Sequence, residues 1–115
     1  LMAVIKIELS TFVALRHEDV RTAGIPDMSL TGNGRTTWWE FKHGTPHFAS
    51  TGIQELTMLR LAKAGFARYV VWEEQKYEKR TLILHPSHIT DGEPDVQCDQ
   101  YDLDFLVQYM KDVHV

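Results

Sequence analysis

Asp27, Glu40 and Lys42 are the residues of this sequence whose types and spacing could do chemistry together. Two stretches rich in Thr, Trp and other β-formers, Asp27–Thr31 and Thr36–Lys42, are separated by Gly32-Asn33-Gly34-Arg35. Asn-Gly is the strongest short-range hairpin signal, because both central residues of a type I′ turn need positive φ. With Asn33 and Gly34 in the turn, Gly32 pairs with Arg35, Ser29 with Trp38 and Asp27 with Glu40. Side chains alternate along a strand, so Glu40 and Lys42 share a face while Trp39 and Phe41 point the other way. Two carboxylates are therefore predicted to face each other roughly 5 Å apart at Cβ, with a lysine two residues along.

Facing carboxylates repel, so a fold avoids them unless something offsets the charge. A divalent cation is the natural answer. Carboxylate oxygens suit Mg²⁺ or Mn²⁺, which keep several waters and bind through one or two carboxylates plus phosphate oxygens. Such an ion polarises a phosphate and lowers the pKa of a bound water. A lysine held close can orient that water or stabilise charge developing on the phosphate. The expected reaction is phosphodiester hydrolysis.

The residues Pro26-Asp27 and Glu40-Phe41-Lys42 resemble the signature of the PD-(D/E)xK nuclease superfamily, with Asp after a loop proline and Glu-x-Lys on the adjacent strand. The likeness extends to Gly24-Ile25-Pro26-Asp27-Met28, to a helix with Gln54 and Leu61 before Gly65, and to the strand Tyr69-Val70-Val71-Trp72. The spacing is similar to the virus-type replication–repair nuclease (VRR-NUC) branch and to small Holliday-junction-resolvase-like phage proteins, over about residues 16–73. The resemblance implies a restriction-endonuclease-like core and a phage or mobile-element DNA endonuclease, structure-selective in its choice of duplex or branched DNA. It implies Asp27 and Glu40 as metal ligands with the Phe41 carbonyl as a third, Lys42 as catalytic, and Gln54 at the edge of the site. Many members open with a long helix that donates a further Glu. Few residues precede the first core strand here, so that helix is short or missing, and Glu8 or Glu18 are the candidates to replace it.

Each residue has a plainer reading. Pro-Asp recurs at Pro94-Asp95, which reads as a turn, and Glu-x-Lys is common on solvated strands. Gln54 fits two roles, because Thr51-Gly52-Ile53-Gln54 also matches a helix capping box. His17, His43 and His47 flank the constellation, although most loop histidines are solvated, as expected for His85 and His88. Trp38 is predicted on the site face beside Ser29, where it either packs in a core or stacks on an unpaired base. Trp39 and Phe41 read as core. Arg16, Arg21, Arg35 and Lys63 are candidate phosphate contacts, with solvated surface as the default. Cys98 has no recognisable base partner.

The elements that must position these residues read as an α/β protein, a mixed sheet with a central hairpin flanked by helices. Val4–Leu9 alternates like a short strand, with a short helix as the other reading. Thr11–Arg16 reads as a strand, and Arg21–Pro26 as a loop. His43–Ser50 is predicted as loop. Thr51 is then expected to cap a helix to Ala64 with an apolar stripe of Ile53, Leu56, Leu59 and Ala62 widened by Met58 and Leu61, and Gly65 as a left-handed stop. Arg68–Glu73 and Arg80–His85 read as strands joined by the solvated segment Glu74–Lys79. Pro86–Gln100 reads as an irregular acidic loop, and Tyr101–Val113 as a helix.

One domain is expected across residues 1–115. Twelve basic residues stand against sixteen acidic ones, a net charge of −4, which is awkward for a nucleic-acid binder. Six of the acids lie in Asp91–Asp104, and without them the balance is 12 against 10. That segment reads as a solvated loop, a dimer interface or an inhibitory lid. No apolar run approaches the ~20 residues that span a bilayer, and Lys6 and Glu8 interrupt the only candidate for a signal. Leu1 ahead of Met2 is expected to derive from a vector, with the natural start at Met2. One cysteine excludes an internal disulfide and a cysteine-rich zinc site. The default is a cytoplasmic protein, and a homodimer would suit a symmetric junction. The competing readings are a catalytically silent nucleic-acid-binding or assembly module and an α/β domain in which the three residues form a structural ion cluster.

Overall fold

The structure, a computed structural model, describes residues 11–17, 25–44 and 52–115. Among these, β1 (Val13–Arg16), β2 (Met28–Gly32), β3 (Arg35–Gly44), β4 (Ala67–Gln75), β5 (Glu78–Leu84) and β6 (Val96–Cys98) form one sheet in sequential order. Neighbours pair antiparallel except β3 and β4, which run parallel. Helix α1 (Gly52–Ala64) makes the crossover between them.

The β2–β3 bend forms as the sequence dictates. Asn33 and Gly34 have φ of 52° and 75°, and the ladder runs from Gly32–Arg35 through Ser29–Trp38 to Met28–Trp39. Pairing one step beyond places Asp27 opposite Glu40. Strand alternation then sends Met28, Leu30 and Trp39 to one face, where they pack with Val70, Ile83 and, from helix α2 (Leu103–Asp112), Leu106, Val107 and Met110. Each such fully buried side chain contributes about 1.5–3 kcal/mol. On the other face Met58 of α1 packs on Ala67, Tyr69, Val71, Leu82 and Leu84, with Trp38, Leu61 and Ala62 partly buried around it.

The hairpin is also tied to the end of the chain. Asn33 Nδ2 donates to the His114 carbonyl at 2.8 Å and Arg35 Nη1 to that of Val113 at 2.7 Å. Buried His114 sets its ring nitrogens against the carbonyls of Met110 (2.7 Å) and Leu30 (3.1 Å). Phe12 meets the His114 ring edge-on and lies so close to Gly32 that a Cβ there would fall 1.8 Å from its ring.

Several expectations need correction. Strand β3 continues through His43 and Gly44, which the sequence assigned to a loop, because both pair with β4. Strands β4 and β5 run into the expected solvated connection and leave a tight turn at Lys76-Tyr77, with Tyr77 fully exposed. The acidic segment is not wholly irregular. A 3₁₀ turn at Pro86–His88 seats Ile89 in the core, and β6 adds a strand to the β5 edge. Helix α2 starts at Leu103 because Asp102 caps it, accepting the Phe105 N–H. Gly65 is not left-handed. Its N–H simply bonds Leu61 O at 2.9 Å. Helix α1 is rotated from its expected stripe: Ile53 and Leu56 are exposed, while Met58, Leu61 and Ala62 face the sheet. The predicted strand Val4–Leu9, most of the loop before Ile25, the segment 45–50 and the Thr51 cap lie outside the described residues, as do Glu8, Glu18, Arg21 and His47.

Candidate active site

Asp27 and Glu40 meet where β2 begins and β3 passes its midpoint. Each carboxylate accepts a backbone N–H from the other strand. Asp27 N donates to Glu40 Oε1 at 2.9 Å, and Phe41 N donates to Asp27 Oδ2 at 2.9 Å. These bonds extend the hairpin past its last backbone pair and fix both carboxyl groups on the α1 side of the sheet. Glu40 is 4% exposed. Burial, then the hydrogen bond and negative charge of Asp27, push its pKa from 4.5 up to about 7, against the pull of the Asp27 N–H and Lys42.

Lys42 lies on the same face, its Nζ 3.8 Å from Glu40 Oε2. Gln54, from the first turn of α1, joins the two. Its Oε1 accepts from Lys42 Nζ at 3.0 Å and its Nε2 donates to Glu40 Oε2. The rotation of α1 explains this contact, since Gln54 heads the face that continues through Met58, Leu61 and Ala62. Gln54 thus lies against the carboxylate and the lysine, while Thr51, the partner in its capping reading, is outside the described residues. Phe41 sends its side chain to the α2 core, leaving only its main chain beside the carboxylates.

The flanking residues divide. His17 continues the row across the sheet, its N–H on the Asp27 carbonyl at 2.8 Å and its Nε2 2.8 Å from Ser29 Oγ. Trp38 sits between Met58's cluster and the His17 ring, 5.3 Å away. The His17–Ser29 contact was not legible in the sequence, because no turn signal fixes how β1 pairs with β2. His43 does not join the group. Its odd position turns it to the opposite face, against Glu74 at 3.6 Å and near Tyr101. His85 bonds Ser87 and His88 bonds Asp91, far along the chain. Arg35 lies over Phe66 and is spent on the Val113 carbonyl, so it is not placed for a phosphate at this site. Lys63 is exposed on α1, and the Cys98 thiol donates to Asp102 at 3.8 Å.

The donor set favours a hard cation. Two carboxylates converge, one of them buried and short of neutralising charge. Among the described residues no group of three or more His, Cys, Asp or Glu side chains gathers. Two converging carboxylates suit Mg²⁺ or Mn²⁺, which retain waters and take further oxygens from substrate. Asp27 and Glu40 would hold such an ion.

No protein-family model and no curated protein matches this sequence. Its fold is similar to that of Hjc from Archaeoglobus fulgidus, a Holliday junction resolvase from an archaeal hyperthermophile. The TM-score is 0.52, the identity is 14%, and the match covers 84% of this chain and 86% of that one. The mixed sheet, six-stranded with two helices among the described residues, is therefore an α/β fold of the resolvase and restriction-endonuclease type.

Proposed function

We propose that this chain is a metal-dependent endonuclease that hydrolyses phosphodiester bonds in DNA, with branched DNA among its substrates. The observation that carries the reading is the contact group Asp27–Glu40–Gln54–Lys42, in which two acids stand side by side with a lysine tethered beside them. The fold it shares with a junction resolvase and the resemblance of Pro26-Asp27 and Glu40-Phe41-Lys42 to the PD-(D/E)xK pattern support it, and the spacing of these residues is similar to that of the virus-type replication–repair branch.

A bound Mg²⁺ or Mn²⁺ would polarise the phosphate and acidify a water. The protein's own groups do the rest. Asp27 and Glu40 present oxygens from two strands that cannot separate without breaking both amide latches. Lys42, held by Gln54, directs its ammonium to the same side, where it orients an attacking water and stabilises charge growing on the phosphate oxygens. Symmetric junctions need two cuts, so the proposal includes a homodimer, to be read by gel filtration with light scattering.

The test is cleavage of plasmid, linear duplex and four-way-junction DNA with Mg²⁺, with Mn²⁺ and with chelator. Wild-type protein should cut only with metal, while Asp27→Asn and Lys42→Ala should fold and fail to cut. Metal-independent cleavage, or full cleavage by both variants, removes this site from consideration.

A further inference from the structure

The nuclease reading leaves unused a pair of rings beside Asp27. His17 stands across from Asp27, and its imidazole leans along the sheet above Ser29 to reach Trp38. The two ring centroids are 5.3 Å apart with planes 34° from parallel. Ser29 is small and buried beneath them, and a larger side chain there would hold the rings apart. The Ser29 hydroxyl fixes one tip of the imidazole, and Met58's cluster backs the indole. Both rings are half-buried, so each is positioned yet keeps some open surface.

Placement and charge together point to a nucleobase. Ser29 and Trp38 lie two residues along from Asp27 and Glu40, ~6.8 Å on the strand. That is about one nucleotide step from a phosphate held at the carboxylates. With a net charge of −4, phosphate contacts alone give this chain a weak grip on DNA. Stacking on aromatic rings adds affinity regardless of base identity, because every base has a π face. Bases inside a duplex are already stacked on both faces, so only an unpaired one can use such rings.

Resting on the nuclease reading, we propose that His17 and Trp38 form a stacking platform for one unpaired base next to the scissile phosphate. The favoured substrate is then DNA with unpaired nucleotides at the cut, as at a flap or an open branch point, rather than continuous duplex. A purely structural role for the rings would instead weaken every DNA alike.

The experiment compares a duplex carrying a three-nucleotide flap with the same duplex lacking it, by binding in Ca²⁺ and by cleavage in Mn²⁺. 2-Aminopurine is placed in turn at each flap position. In the wild type, its fluorescence should be quenched at the position that stacks, and the flap should be preferred. His17→Ala should lose the quenching and lower the flap-over-duplex preference by roughly 10- to 100-fold. His17→Phe keeps a ring without the Ser29 bond and should restore most of both. Absent quenching in wild type, an unchanged preference in His17→Ala, or His17→Phe no better than alanine overturns the platform. Cleavage of both DNAs without preference overturns it while leaving the nuclease reading intact. Failure of the wild type to cut either DNA with metal removes that reading and this inference together.

Discussion

Two glutamates are buried on the same face of the sheet, on neighbouring strands, and they are treated differently. Glu73 of β4 is 1% exposed and has its own guanidinium: Arg80 of β5 donates from both Nε and Nη2 to one of its oxygens. Glu40 of β3 is 4% exposed and has another acid beside it instead, with its lysine held 3.8 Å away through Gln54. The first arrangement is how a fold keeps a charge it needs only for architecture. The second leaves charge in excess, as a site awaiting a cation would. Asp95, the other acid that follows a proline, falls in the first class, paired with Arg68 at 2.8 Å.

The largest effect is expected from Asp27→Asn. The amide keeps an acceptor for the Phe41 N–H and offers a donor toward Glu40, so only the charge is lost. Metal-dependent cleavage should fall by about 10³-fold or more, equivalent to several kcal/mol of stabilisation at the reacting phosphate. Metal-free stability at pH 8, read by urea denaturation, should hold or rise. Arg80→Ala should do the reverse, costing roughly 2–3 kcal/mol of stability because Glu73 is left buried and uncompensated. If both substitutions destabilise equally, the two glutamates are not different in kind.

The pH dependence of stability sharpens the same contrast. Glu40 has a folded pKa of about 7, above its ordinary 4.5, so the folded protein binds that proton more tightly than the unfolded chain. Its contribution is complete below about pH 4.5 and is lost as pH rises through 7, a fall on the order of 2 kcal/mol in metal-free protein. Asp27→Asn should flatten the slope between pH 5 and 7, and saturating Mg²⁺ should do likewise in wild type. Stability that rises across this window in the wild type relative to Asp27→Asn would contradict the crowding of the two acids. The smallest effect is expected from Gln54→Ala, which frees Lys42 without removing it. Single-turnover rates should drop about tenfold, the worth of one charge-assisted hydrogen bond, with little change in binding.

The hairpin and the α2 core face were legible in the sequence because local rules determine them. Asn33 and Gly34 demand one turn, the turn sets one register, and the register assigns Glu40 and Trp39 to opposite faces. Helix α1 was legible in extent but not in rotation. Apolar residues surround it, so no single stripe stood out, and the side that turns to the sheet is the one headed by Gln54. Strand β6 escaped notice because three residues cannot show alternation, and only its pairing to β5 makes it a strand. The seating of His17 over Ser29 depended on a β1–β2 register that no short turn encodes.

The anchoring of the β2–β3 bend has a practical corollary. A protein engineer trimming this chain at Asp112, where its last helix ends, would discard the carbonyls that hold Asn33 and Arg35 and the imidazole wedged between Leu30 and Met110. What looks like a dispensable tail is the clasp of the very loop that sets the spacing of the two acids, so a shortened version would be a poor vehicle for studying them.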